Sequence, residues 1–302
     1  MEILEKIEEL KRKRHAVILA HNYQLPEVQD CADFVGDSLE LSVKAAHTDA
    51  AVIVFCGVHF MAETAKILSP AKTVLLPDKD AGCPMADMIT EAQLCALKEK
   101  HPRAKAICYV NTSAAVKAQC DLCCTSANAV EMVGEFLDET EEIIFVPDQN
   151  LAAFTAAKTG RAMIVWPGYC PIHHAILPEH IQKARLAHPD AVVMVHPECR
   201  PEVAALADQI LSTGGMSRYA RETKAREIIV GTEKGMIHRL QKENPDKSFF
   251  AVSESLICPD MKRTTLEKLL FSLENMTHAV EVPAKTAALA RKGIERMLAA
   301  GR

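Results

Sequence analysis

Three cysteines in this chain are each followed by proline: Cys83-Pro84, Cys170-Pro171 and Cys258-Pro259. With 11 cysteines and 15 prolines among 302 residues, composition alone predicts about 0.5 such pairs. The steps between them are nearly equal, 87 and 88 residues. Proline biases the preceding residue toward extended backbone and stiffens the loop, which suits a thiol held at a strand end. Three thiolates around one centre can bind zinc with one position open. They can equally hold three corners of a 4Fe–4S cluster whose fourth iron lacks a protein thiolate. An open iron is a Lewis acid, able to hold a carboxylate or hydroxyl and assist loss of water.

Other chemistry-bearing residues keep the same step. His21, Asn111 and His196 each follow an apolar run, so they are predicted at matching strand ends. Some 15 to 17 residues later come Asp37-Ser38, Thr125-Ser126 and Ser212-Thr213. Ser38, Ser126 and Thr213 precede helical stretches, where a hydroxyl and free backbone N–H groups can seat an anion. Helix capping needs the same residue types and is the structural alternative. His21 and His196 can donate to carboxylates or move protons near neutral pH. Glu198 lies two residues after His196 and is the candidate general base; Tyr23 lies two after His21 and is a candidate donor. His173, just after Cys170-Pro171, is placed to reach the same site.

These positions require a repeated scaffold. Apolar runs at 17–20, 106–110 and 192–195 read as buried strands. Each is followed by a polar loop, a helical stretch, and second strands at 51–55, 142–146 and 227–230. Helices such as 61–68 and 235–242 lead to third strands at 73–76, 162–166 and 249–252, and then to the Cys-Pro loops. Strands alternating with helices imply parallel sheets, whose ligands bind beyond the strand carboxyl ends. The chain therefore reads as three pseudo-symmetric α/β repeats around a common centre: residues 1–88, 89–175 and 176–302. The tail 283–302 is expected as a closing helix, a candidate to pack on the first repeat. Ile3, Leu4, Ile7 and Leu10 mark one face of an N-terminal helix.

Composition narrows the function. The chain is 49% hydrophobic and 25% charged, with net charge −5 and no basic stripe beyond Lys11 to Arg14, so nucleic acid is a poor partner. No apolar run reaches the length of a membrane span. The first residues are too charged for the apolar region of a signal peptide. A cytoplasmic, reducing location is expected, where cysteines act as core fillers, catalysts or metal ligands rather than disulfides. Cys120-Asp121-Leu122-Cys123 is a CxxC without a second pair, read as structural. Cys31, Cys56, Cys95, Cys108 and Cys199 are read as packing residues.

With these residues assembled, the chain resembles the quinolinate synthase family nearly end to end. The resemblance is carried by Ala20-His21-Asn22-Tyr23-Gln24, Asp33-Phe34-Val35-Gly36-Asp37-Ser38, Cys83-Pro84-Met85 and Tyr109-Val110-Asn111. It continues through Thr125-Ser126-Ala127-Asn128-Ala129, Val195-His196-Pro197-Glu198-Cys199, Ser212-Thr213-Gly214 and Gly231-Thr232-Glu233. It implies a central 4Fe–4S cluster held by Cys83, Cys170 and Cys258. The implied reaction condenses iminosuccinate with dihydroxyacetone phosphate to quinolinate, phosphate and water, in NAD biosynthesis. An upstream aspartate oxidase or dehydrogenase would supply the imine. The family's iminosuccinate contacts map onto His21, Ser38, Tyr109, Val110, Asn111, Ser126, His196, Pro197, Glu198 and Thr213. Some members carry CxxCxxC around the third ligand, whereas Cys258 stands alone here. A zinc lyase or hydrolase using the same cysteines, an iron–sulfur sensor of a dicarboxylate, and a redox protein using Cys120 and Cys123 are the alternatives.

Overall fold

The computed structural model describes residues 2–300 apart from 137, 139 and 140. The repeated pattern folds into three separate four-stranded parallel sheets. The first holds β1 (Ala16–His21), β2 (Phe34–Gly36), β3 (Val52–Cys56) and β4 (Thr73–Leu75). The second holds β5 (Lys105–Tyr109), β6 (Leu122–Cys124), β7 (Ile143–Val146) and β8 (Ile164–Val165). The third holds β9 (Val192–Val195), β10 (Gln209–Ile210), β11 (Glu227–Gly231) and β12 (Ser248–Ala251). In every sheet the spatial order is second, first, third and fourth strand. Every residue of β3 and β7 is buried, as both faces of a helix-covered sheet require.

Each repeat has one strand more than the sequence pattern suggests. β2, β6 and β10 occupy stretches expected to be loop and helix, and are only two or three residues long. Such short edge strands carry no readable alternation. Their positions are set by a repeated device instead. Asp33, Asp121 and Asp208 accept the backbone N–H groups of Ile18, Ala106 and Val193, at 2.8, 2.9 and 2.8 Å, tying each edge to its central strand. A cation from the preceding helix meets each aspartate: Lys11 at 2.8 Å, Lys98 at 4.0 Å and Arg185 at 2.9 Å. The helices Ile3–Arg14, Glu91–Lys100 and Pro178–Ala187 are thereby attached to the sheet that follows them in sequence.

The chain after the third Cys-Pro does not stay with the third sheet. Leu266–Asn275 returns to the first, where Leu269 and Leu273 are buried with Ile7, Ile18 and Val54. It takes the place beside Ile3–Arg14 that closes the ring of repeats. The last helix, Ala284–Ala300, lies across β6 and helix Ala114–Lys117 of the second repeat and touches helix His59–Leu68 of the first. Gly293 makes the close approach possible, since a Cβ there would sit 3.2 Å from Cys123 Sγ and 3.3 Å from its backbone N. No helix among the described residues is long and apolar enough to cross a membrane.

Candidate active site

The carboxyl ends of the three sheets face one cavity of about 280 Å³. Every site residue named from the sequence lines it except Val110 and Pro197, which are buried without lining it.

The Cys-Pro loops share one geometry. Proline opens the turn at Pro171 and lies two residues ahead of it at Pro84 and Pro259, so each cysteine sits just before a turn's free N–H groups. The turns are Ala86–Met88, Pro171–His174 and Met261–Arg263. The Cys83 sulfur receives the Ala86 and Met85 amides, Cys170 that of His173, and Cys258 those of Met261 and Asp260. Burial nevertheless pushes the Cys83 thiol up to about 12 and raises Cys170 and Cys258 as well. The three are neutral thiols that a bound metal would have to deprotonate. Two of them are held from behind by buried carboxylates: Cys170 N–H donates to Asp148 (3.1 Å) and Cys258 N–H to Glu233 (3.1 Å).

Strand register gives the true equivalences. Ala20 pairs with Cys56, Cys108 with Val146, and Val195 with Gly231. The residue after each central partner is His21, Tyr109 or His196, so Tyr109 rather than Asn111 is the counterpart of the two histidines. Asn111 corresponds to Tyr23 and Glu198. The expected match placed Asn111 two residues out of register, because the apolar run continues through Tyr109 and Val110 and ends only there. Corrected, the steps are 88 and 87 residues, the same as from Ser38 to Ser126 to Thr213.

Capping is carried by the residue before each of these hydroxyls. Asp37 accepts from the Leu39 and Glu40 amides, Thr125 from Ala127, and Ser212 from Gly215. Ser126 Oγ instead lies 3.1 Å from His196 Nε2, and Thr213 Oγ1 accepts from Asn22 Nδ2 at 2.7 Å. Replacing Ser212 by alanine should therefore lower unfolding free energy by about 1 kcal/mol. Chemical denaturation checks this.

In both histidine repeats a backbone amide two residues on donates to Nδ1: Tyr23 N–H to His21 (3.2 Å) and Glu198 N–H to His196 (3.3 Å). Nδ1 is then an acceptor, and Nε2 carries the proton. Burial lowers both rings to about 3, so they are neutral N–H donors at physiological pH.

Glu198 is 3% exposed. Burial opposes its ionisation, yet hydrogen bonds and positive charge hold it below the usual carboxylate range. At neutral pH His196 is uncharged, which leaves His173 Nδ1 at 2.7 Å and the Tyr109 hydroxyl donating at 2.5 Å as the stabilising partners. Burial and the neighbouring Glu198 raise Tyr23 and Tyr109 well above the usual phenol value, so both stay protonated.

Cys170, His173 and Glu198 place ligand atoms within 4.8 Å of one another, the group compact enough for a single ion. The three Cys-Pro thiols are not drawn together to that extent. A single tetrahedral zinc needs its sulfurs about 3.8 Å apart, from Zn–S bonds of about 2.3 Å.

Thr232 and Glu233 entered the sequence reading only within the motif Gly231-Thr232-Glu233, with no role given, and Asp148 was not singled out. Asp148 and Glu233 lie two residues beyond the register positions Val146 and Gly231, where the first repeat has Val58. That substitution hides the pattern.

Three parallel sheets converging on half-buried cysteines, buried imidazoles and an ionised carboxylate define an α/β enzyme with its site at the centre of a threefold repeat. The chain belongs to the quinolinate synthetase A family, whose model, described as "Quinolinate synthetase A protein", matches residues 5–299. It is 59% identical over 296 residues to a quinolinate synthase of Dehalococcoides mccartyi strain CBDB1, covering 98% of this chain and 97% of the relative. It is 55% identical over 298 residues to quinolinate synthase 1 of Methanosarcina acetivorans, covering 99% and 97%. The quinolinate synthase of Geotalea uraniireducens is 53% identical over 298 residues, with the same coverage.

Proposed function

We propose that this enzyme condenses iminosuccinate with dihydroxyacetone phosphate to quinolinate, phosphate and water, with a 4Fe–4S cluster held by Cys83, Cys170 and Cys258. The observation that carries this is the convergence of three equivalent Cys-Pro thiols, one from each repeat, on the cavity that also holds His21, His196 and Glu198. The donor set fits such a cluster: three soft sulfurs, one from each repeat, with backbone amides favouring each thiolate. Asn111 Oδ1 is buried there without a hydrogen-bond partner, an acceptor left for a ligand's donor. When bound, the cluster supplies one iron free of protein thiolate, a Lewis acid for a hydroxyl that departs as water.

The chain's own residues supply the rest. Ser38, Ser126 and Thr213, with the neutral His21 and His196 N–H groups, offer donors to a dicarboxylate in a protein of net negative charge. Tyr109, Val110, Asn111 and Pro197 complete the contacts with iminosuccinate that the family resemblance implies. Glu198 is ionised and is the base; Tyr23 faces the triose-derived part, and His173 orients Glu198. The imine is unstable in water, so an oxidase or dehydrogenase acting on aspartate must supply it. Free thiols as cluster ligands call for a reducing compartment, the cytoplasm.

The direct test is anaerobic assay for quinolinate after cluster reconstitution, with cluster-free protein as control. Product formed equally by cluster-free or zinc-loaded protein would sink the proposal. Ser126→Ala and Thr213→Val should each weaken substrate binding by about 1.5–3 kcal/mol, the scale of a hydrogen bond to a charged group. Because capping belongs to its neighbour, Ser126→Ala should hold its melting temperature, whereas Thr213→Val also leaves the buried Asn22 Nδ2 without its acceptor and should melt earlier. Titration calorimetry with a substrate analogue and thermal scans separate the two effects.

A further inference from the structure

No lysine or arginine is among the described residues that line the central cavity, whereas Asp37, Glu198, Glu233 and Asp260 all do. His21 and His196 are neutral, and His173 is engaged with Glu198. A wall of this make-up repels a multiply charged anion unless positive charge lies behind it. Lys262 and Arg239 come close enough to act on His21. Lys262 meets Glu233 at 3.0 Å, however, and Arg239 meets Glu243 at 2.7 Å and Glu40 at 3.5 Å. Both are already paired with carboxylates.

Lys117 is different. It ends the short helix Ala114–Lys117 and is fully buried. Its ammonium donates to the Thr112 carbonyl at 2.5 Å and lies 5.4 Å from the centre of the Phe60 ring. Among the described residues it forms no ion pair with a carboxylate. The acidic group near it is the Cys108 thiol, held below its usual value by hydrogen bonds with Cys120 and Cys123 more than by the lysine. Phe60 lines the cavity, and so does Asn111, the neighbour of Thr112 in the chain. The ammonium therefore sits one layer behind that wall. An aromatic face attracts a cation but carries no net charge to neutralise it. Burying an ammonium without a carboxylate partner is costly, so the fold gains nothing from the charge itself.

We propose that Lys117 is a specificity-determining residue: its buried charge, acting through the wall formed by Phe60 and Asn111, favours a dianion in the cavity over a monoanion of the same shape. The proposal rests on the function assigned above, in which both substrates and the pyridine product are multiply charged anions. The low effective dielectric behind the wall preserves the attraction, and salt screens it little. Across about 10 Å at an effective dielectric of about 20, one unit charge changes a binding constant on the order of tenfold. The effect scales with the charge of the ligand. Loss of shape, or of one hydrogen bond within the protein, would weaken ligands of equal shape alike.

Lys117→Met keeps the length of the side chain and removes its charge. Titration calorimetry on cluster-loaded protein should use quinolinate as the dianion and its monoamide as the monoanion. The methionine variant should bind quinolinate roughly 10²-fold more weakly than the parent does, and the monoamide roughly tenfold more weakly. That gap should persist when salt is raised. Parent-like affinity for quinolinate, or equal losses for the two ligands, would overturn the proposal. Cys108→Ala probes the neighbouring thiol and should bind quinolinate about as tightly as the parent. A gain of about tenfold there would mean that a Cys108 thiolate already neutralises the lysine, and it would overturn the proposal as well. If the methionine variant loses cluster or melts early, Lys117→Gln, which can still donate to the Thr112 carbonyl, carries the same comparison. A cluster-loaded parent that makes no quinolinate and binds neither ligand would instead overturn the functional assignment, before any variant is measured.

Discussion

Cys170→Ala protein, reconstituted anaerobically, is expected to retain little iron or sulfide and to form quinolinate at background rate. Parent protein should hold about four of each per chain. Cys170 is one of only three protein thiols that the fold aims at the central cavity, and its sulfur lies 3.2 Å from His173 Nδ1. Losing it removes a third of the ligand set, and the neighbouring His173 is already engaged with Glu198 and Thr232. Cys83→Ala and Cys258→Ala should behave alike. Cys123→Ala is the contrasting control. Cys123 is fully buried, with its sulfur 3.5 Å from Cys108 Sγ and packed under Gly293, away from the cavity wall. It should cost some packing and leave the iron content unchanged. Normal iron in Cys170→Ala together with cluster loss in Cys123→Ala would reverse the ligand assignment.

Glu198→Gln and Tyr23→Phe should each keep the cluster and still bind substrate, while turnover falls by roughly 10²-fold or more. Building the pyridine ring removes protons from carbon and delivers them to departing hydroxyls. Glu198 is the buried carboxylate held ionised at this cavity, by Tyr109 and His173. Glutamine keeps the shape and an acceptor oxygen but cannot take a proton at neutral pH. Phenylalanine removes the phenol and its 2.6 Å contact with Thr232. Single-turnover assays on cluster-loaded protein, with iron measured on the same samples, are the check. Near-parent rates in both variants would mean that the protons travel through water, the histidines or the substrate itself.

The central strands, the threefold repeat and the three Cys-Pro thiols were legible in the sequence. Each is a local pattern repeated at a constant step, and local patterns determine elements without reference to the rest of the chain. Even the equivalence of His21, Tyr109 and His196 was present as steps of 88 and 87 residues, though hidden by the change of residue type. Edge strands of two or three residues were not legible. Their place depends on Asp33, Asp121 and Asp208 reaching a neighbouring strand. Only the tertiary structure decided which hydroxyls cap helices and which face the cavity. The choice between Ser212 and Thr213 turns on backbone direction at one peptide, and both residue types can do either job. It also decided that Leu266–Asn275 closes the ring on the first sheet. Above all it brought Thr232 within 2.6 Å of Tyr23, across 209 residues of sequence. A threonine after a strand has no distinguishing signature of its own. The contact exists only because three sheets pack around a common centre, and that packing is a property of whole surfaces.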